Sequence, residues 1–160
     1  MAIVEVRIDD RLIHGQVCGF WIPHFNVERI AIVDDLIVKD DARKTALKFG
    51  CPAKCKLSIF GTESATEKFL KGIDDGINVM ILCNRPQPLL RMVEGGYKIK
   101  GITVGNMSTK QDAISFKKTV FISPEELADF KKLIEHGVKI YSQMVPNEAR
   151  EDVTQAIRKL

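Results

Sequence analysis

Nine consecutive residues, Asp9-Asp10-Arg11-Leu12-Ile13-His14-Gly15-Gln16-Val17, concentrate the chemistry of this chain. They put two carboxylates, a guanidinium, an imidazole and a glycine between a strand-like run and a helical pattern over Gln16–Trp21, which Pro23 is expected to end. A neutral imidazole is a good nucleophile near neutral pH, so His14 is the candidate acceptor of a transferred group. Gly15 lets a backbone approach an anion closely, and the free N–H groups at a helix start attract one. Arg11 can neutralise a phosphoryl group through paired hydrogen bonds, and Asp10 or Asp9 can orient Arg11 or the imidazole. Gln16 can add a polar contact or simply open the helix. By residue type alone, two turn aspartates followed by an ordinary loop histidine fit the same segment equally well.

The elements that must hold this loop are legible as alternation. Ala2–Ile8, Arg29–Val33, Lys56–Phe60, Asn78–Cys83, Gly101–Val104, Thr119–Ile122 and Val138–Ser142 are short runs rich in Ile and Val, bounded by turn residues. Helical patterns lie between them. Asp40–Phe49 repeats Ala42, Ala46 and Phe49 and reaches Gly50, a candidate left-handed cap. Ser64 and Glu67 suggest a capping box ahead of Phe69, Leu70 and Ile73. Pro86–Glu94 carries Leu89, Leu90 and Val93 before Gly95-Gly96. Ser123-Pro124-Glu125-Glu126 is the clearest helix start, followed by Leu127, Phe130, Leu133 and Ile134 and ended by Gly137. Asn147 is placed as the cap of a last helix burying Ala149, Val153, Ala156 and Ile157.

Strands alternating with helices predict an α/β fold: a single domain over residues 1–160, with an open, mostly parallel sheet of about seven strands flanked by helices on both faces. The direction of the strand at 119–122 stays open, because Asn106–Lys118 is polar and barely long enough for a crossover. In such sheets ligands sit at the carboxyl ends of strands, which is where the His14 loop falls.

Composition narrows the function. The chain has 160 residues, 45% hydrophobic and 28% charged, which excludes disordered and low-complexity classes. No apolar run approaches the roughly 20 residues of a membrane helix. The start, Met1–Asp10, lacks a basic-then-apolar leader, so a cytoplasmic location is expected. Lys and Arg total 24 against 21 Asp and Glu and are scattered, which gives no nucleic-acid footprint. Cys18, Cys51, Cys55 and Cys83 form no metal-ligand spacing and are expected as reduced, structural thiols. His24 is expected at the surface and His136 at a helix end. Asp34 after the second strand and Ser108 after the fifth are candidate edges of an anion pocket, although a solvated loop suits Ser108 as well.

Val6-Arg7-Ile8-Asp9-Asp10-Arg11-Leu12-Ile13-His14-Gly15-Gln16-Val17 closely resembles the N-terminal signature of enzyme IIB of the mannose/sorbose family of the bacterial phosphoenolpyruvate-dependent sugar phosphotransferase system. Ile32-Val33-Asp34-Asp35, Val93-Glu94-Gly95-Gly96 and Thr103-Val104-Gly105-Asn106-Met107 resemble later segments of that family, with Thr103 where Asn is common and Asn106 in place of a second glycine. The resemblance covers essentially the whole chain. It implies a phosphocarrier that accepts a phosphoryl group from a histidine of a IIA protein on His14 and passes it to a sugar entering through membrane IIC and IID subunits. Asp10, Arg11, Gly15 and Gln16 would bind or orient the group, with no metal or cofactor. The protein would lie in the cytoplasm against the membrane permease. Docking of a protein donor implies an exposed His14 ring in a flat apolar surface. Ile13, Leu12, Trp21 and Phe25 are the apolar candidates, and Arg7, Arg11 and Arg85 the rim. The sugar, the phosphorylated nitrogen and assembly into a homo-oligomer stay open. The competing class is a non-catalytic or receiver-like α/β signalling or binding module, with Asp34-Asp35 at its strand end.

Overall fold

The computed structural model describes residues 3–160. A seven-stranded sheet has the order β3-β2-β4-β1-β5-β8-β9. Its strands are β1 (Ile3–Asp9), β2 (Arg29–Val33), β3 (Lys56–Phe60), β4 (Val79–Cys83), β5 (Gly101–Asn106), β8 (Lys139–Ser142) and β9 (Glu151–Asp152). All neighbours run parallel except β8 and β9. The first expected strand is seen from Ile3 onward, and Ala2 lies outside the described residues.

The face each helix occupies follows from handedness. The chain moves outward from β1 to β2 to β3, then turns back through β4 to β5. Right-handed crossovers send the outward connections to one face and the returning ones to the other. Accordingly the helical segment after β1 and α2 (Asp41–Gly50) cover one core, around Val17, Trp21, Ile30, Leu47 and Leu82. Helices α3 (Thr62–Leu70), α4 (Gln87–Glu94), α5 (Pro124–Glu135) and α6 (Thr154–Arg158) cover the other, around Ile8, Ile81, Leu89, Phe130 and Ile140. β1 and β5 are neighbours although their connections leave in opposite directions. The crevice between their carboxyl ends is the topological switch point.

Several expectations change. The strand at 119–122 is not in the main sheet. As β7 (Val120–Ile122) it forms an antiparallel two-stranded ribbon with β6 (Ile114–Lys117), within the segment whose weak periodicity hid it. The seventh sheet strand is instead β9, too short and too polar for a periodicity signal. Asn147 caps nothing. The last helix opens at Thr154 and buries Ile157, with Val153 buried at its N-cap, while Ala149 and Ala156 are exposed. On α2 the buried residue is Leu47, whereas Ala42, Ala46 and Phe49 are exposed. Gly50 is its last helical residue rather than a left-handed cap.

The Ser64 box is also absent. α3 begins two residues earlier, and Asp35 from the β2 loop accepts hydrogen bonds from the Thr62 backbone N–H and hydroxyl. The backbone N–H of Thr62 is the main force holding the Asp35 carboxyl below its ordinary range. Phe69 is buried as expected, but Leu70 and Ile73 are exposed. The Ser123 capping box forms as read, with Glu126 reaching back to the Ser123 N–H.

Candidate functional site

Strand β1 runs through Asp9, one residue further than its apolar pattern. Alternation along a strand then puts Glu5, Arg7 and Asp9 on one face and Val6 and Ile8 on the other. Beyond Asp9 the chain curls tightly. Leu12 takes a left-handed conformation (φ 59°), its N–H bonds the Asp9 carbonyl, and its side chain is fully buried. That conformation costs about 1–3 kcal/mol, and burial of a leucine returns a similar amount. The curl turns Arg11 outward, with no ion-pair partner among the described residues. It leaves His14 at the head of a helical segment.

That segment contains a π-helical turn, Val17–Trp21, followed by α1 (Ile22–Phe25). Pro23 does not end it; Asn26 does, in a left-handed conformation. Proline lacks the N–H for the ladder and crowds the preceding turn, and the wider π turn, in which Ile22 N–H bonds Val17 O, accommodates both.

His14 has a neighbour at each ring nitrogen. Nε2 lies 2.9 Å from Asp9 Oδ2, close enough to pair but off the hydrogen-bond axis. The Gln16 backbone N–H donates to Nδ1 at 3.3 Å. This pattern assigns the ring proton to Nε2, facing a carboxylate, and leaves the Nδ1 lone pair toward the helix start. The ring is only 10% exposed, so the expectation of an open ring is corrected: Asp9 and the curl cover most of it. The first bond of the helical ladder runs from Cys18 N–H to the His14 carbonyl, leaving the Gly15 and Val17 amides ahead of the ladder. A side-chain carbon at Gly15 would meet nothing within 4 Å, so the glycine leaves open space above these amides.

The other expected residues divide. Asp10 is not at the imidazole. Its carboxylate accepts from the Ser108 hydroxyl at 2.5 Å, and its N–H bonds the Asn106 carbonyl, stitching the β1 loop to the β5 loop. Ser108 is therefore at the site's edge through Asp10. Gln16 contributes its backbone N–H, while its side-chain oxygen is buried without a partner. Asp34 is spent elsewhere: one oxygen caps the turn at Leu36 and Ile37, and the other takes the Arg85 Nε at 3.0 Å. Cys83 is buried and donates to the Val33 carbonyl, and burial pushes its thiol up to about 12.

Leu12 and Trp21 lie in the core and Arg7 is fully buried, so none of the three lines a docking surface. Residue type hid a second apolar set there. Phe20, Leu36 and Phe49 are 53%, 67% and 93% exposed. Phe49 belongs to the end of α2 that packs on the His14 loop: Cys18 Sγ reaches the Gly50 carbonyl, and Ile13 lies beside Gly50. Phe49 had fitted the apolar stripe of α2, which is why its periodicity pointed inward.

Arg7 is the buried support under this arrangement. Its guanidinium lies 4.2 Å from the Trp21 ring centroid and donates to the Gln143 and Met144 carbonyls at 2.8 and 3.0 Å. The Trp21 indole donates to the same Met144 carbonyl. Asp9 and Glu5 both favour the charged guanidinium, against the larger effect of burial, which lowers its pKa.

Among the described residues, no helix is long and apolar enough to cross a membrane. The family model described as PTS system sorbose subfamily IIB component matches residues 3–160. The chain is 32% identical to the fructose-specific EIIB component of Bacillus subtilis, over all of this chain and 98% of that protein. It is equally similar, at 32%, to the mannose-specific EIIAB component of Escherichia coli, where it spans half of the longer chain. The crystal structure of the IIBSor domain of the sorbose permease from Klebsiella pneumoniae superposes with a TM-score of 0.89 at 30% identity, covering 99% of this chain and 98% of that one. With a model match across its described length and relatives of this kind along all of it, the chain belongs to the sorbose-subfamily IIB components of the sugar phosphotransferase system, within the mannose/sorbose family.

Proposed function

We propose that this chain, as one phosphotransferase domain over residues 1–160, carries a phosphoryl group on Nδ1 of His14 between a IIA phosphohistidine and a sugar. The observation that carries this reading is the pairing of the two ring nitrogens: Nε2 against Asp9, and Nδ1 at the Gln16 N–H beside open space over Gly15. In the forward step the Gln16 N–H releases Nδ1 and turns to a phosphoryl oxygen, and the freed Nδ1 lone pair attacks phosphorus in line. The new P–N bond forms as the donor's P–N bond breaks, and the donor imidazole keeps that electron pair. His14 keeps its Nε2 proton against Asp9, which stabilises the positive ring that results. Phosphoryl transfer needs mainly positioning and charge stabilisation, and Arg11 with the amides of Gly15, Gln16 and Val17 supplies both. Discharge to a sugar hydroxyl breaks the P–N bond, Nδ1 takes back that electron pair, and the hydroxyl proton passes to water or to a base of the membrane subunits as the phosphate ester forms.

Asp9, rather than Asp10, is the orienting carboxylate of this mechanism. Asp10 and Ser108 fix the loop, and Asp34 shapes the neighbouring turn with Arg85. The IIA donor is itself a protein, as the fused EIIAB relative illustrates, and membrane IIC and IID subunits are the sites of discharge. The chain would work in the cytoplasm, resting against them. Mannose, fructose, sorbose and amino sugars are all compatible with the family, and the sugar need not touch this chain deeply.

Two measurements test this reading. Arg11→Lys keeps the charge but loses the planar fork, so transfer from phospho-IIA should slow by roughly tenfold, and by roughly a hundredfold in Arg11→Ala. Wild-type rates in Arg11→Ala would refute the role. Titration with unphosphorylated IIA should shift the amides of Ile13–Phe20, Leu36 and Phe49, giving a small, weak interface of below about 1,200 Å². Shifts confined to the amino ends of the strands would count decisively against this surface.

A further inference from the structure

At the opposite end of the sheet, where β1, β5 and β8 begin, lies a cavity of about 490 Å³. This is within the size of small-molecule sites, about 300–1,000 Å³. Its lining reaches along β1 as far as Val6, about 10 Å of strand short of Asp9. We infer that this cavity binds a small organic phosphate, with the phosphate at a basic rim and the organic body on an apolar floor.

The rim is Lys98, Lys100, Lys139 and Arg150. Among the described residues none of these four is in an ion pair, whereas Lys44, Lys71, Lys110 and Lys117 each are. Four cations around one concavity, none of them in an ion pair, create a focused positive potential. Arg150 is already fixed. Its guanidinium lies 3.5 Å over the Tyr141 ring, and its Nε and Nη2 donate to the Thr103 hydroxyl at 3.4 and 3.1 Å. An immobilised guanidinium loses little freedom on gripping an anion.

The carboxylates nearby offset only part of this charge. Glu5 also lines the cavity: burial pushes its carboxyl above the ordinary range, Arg7 at 3.8 Å and Arg150 oppose that, and it accepts from Thr103. Asp152 feels Lys139 and Arg150, yet it accepts the Thr154 N–H and is exposed. Only Asp74 adds an uncommitted negative charge to the lining.

The floor explains why the ligand is organic. Val6 and Ile99 are buried apolar residues of the lining, and Tyr97 and Tyr141 present aromatic walls. A bare phosphate ion would leave that surface unused and most of the volume empty.

The test is titration of the isotopically labelled, unphosphorylated chain with glucose 6-phosphate, glycerol 3-phosphate, inorganic phosphate and glucose, read by amide shifts. Saturable shifts are expected at Lys98–Gly101 and Gly137–Lys139 with at least one organic phosphate. Inorganic phosphate should bind about tenfold more weakly, and glucose should give no shift. A preference between the two esters reports the size of the body and supports the site either way. Lys98→Glu with Lys100→Glu, both exposed loop positions, should weaken binding by more than about tenfold while leaving a dispersed spectrum and normal labelling of His14. Three results would overturn the assignment: no shift at this edge, equal binding of inorganic phosphate, or unchanged affinity in the double variant. Binding here is read without any phosphoryl transfer, so its failure and the failure of the His14 reading are separate outcomes.

Discussion

His14→Ala should take up no phosphoryl group from phosphoenolpyruvate, the general phosphotransferase proteins and a matching IIA, with labelling reduced to background. The expected loss is absolute rather than graded, because in the proposed mechanism this residue forms the covalent bond and neither of the other two histidines is placed to replace it. His24 is exposed on α1 beside Trp21 and Phe25, and His136 is exposed at the end of α5, with no carboxylate among the described residues pairing to either ring. The ring is small, partly exposed and outside both cores, so the variant should unfold within a few degrees of the parent. Asp9→Asn gives the graded counterpart. It keeps the shape but removes the charge facing Nε2, and should slow transfer by roughly ten- to a hundredfold while His14 remains the labelled residue. Undiminished labelling of His14→Ala, or mapping of the phosphate to another residue, would sink the phosphocarrier mechanism.

Gly105→Ala should be the most damaging small substitution in the protein. Gly105 has an ordinary backbone conformation, so its reason is space rather than flexibility. An added Cβ would overlap Arg7 Nη2 and stand 2.8 Å from the guanidinium carbon. An arginine at the surface would swing aside, but this one is fully buried, stacked on Trp21 and bonded to two carbonyls. Displacing it strands a charge in the interior, which costs about 2–4 kcal/mol and should lower Tm by about 5–12 °C. Transfer should slow as well, because Trp21 lies on the helical segment that His14 opens and Asp9 faces the same guanidinium. The Arg7→Met background supplies the decisive control. With the guanidinium gone, a methyl at Gly105 has room, and the cost of Gly105→Ala should fall by at least half. A wild-type Tm for Gly105→Ala, or the same cost in both backgrounds, would refute this account.

The residue types of Asp9–Val17 marked a candidate site but fitted a plain turn with a loop histidine as well; what made the site legible was its unbroken likeness to the IIB signature. The parallel sheet was equally legible in its runs of Ile and Val, as was α5 in the Ser123 box, since these signals are local. Which aspartate serves His14 was not legible. Asp9 and Asp10 are chemically identical, and only the end of β1 decides that the first points beneath the imidazole and the second toward Ser108. Arg7 read as a surface charge because burying a guanidinium is costly. It is affordable only where Trp21, two carbonyls and a glycine from β5 converge, all remote in sequence. Phe49 erred the other way: its spacing matched an apolar stripe, but the docking of α2 buries Leu47 and turns Phe49 to solvent. Local propensity thus determined most of the elements, and the family signature singled out His14 as the candidate nucleophile. The direction of each side chain, and with it the orienting carboxylate, the buried support and the exposed apolar surface, was decided by how the strands and helices pack.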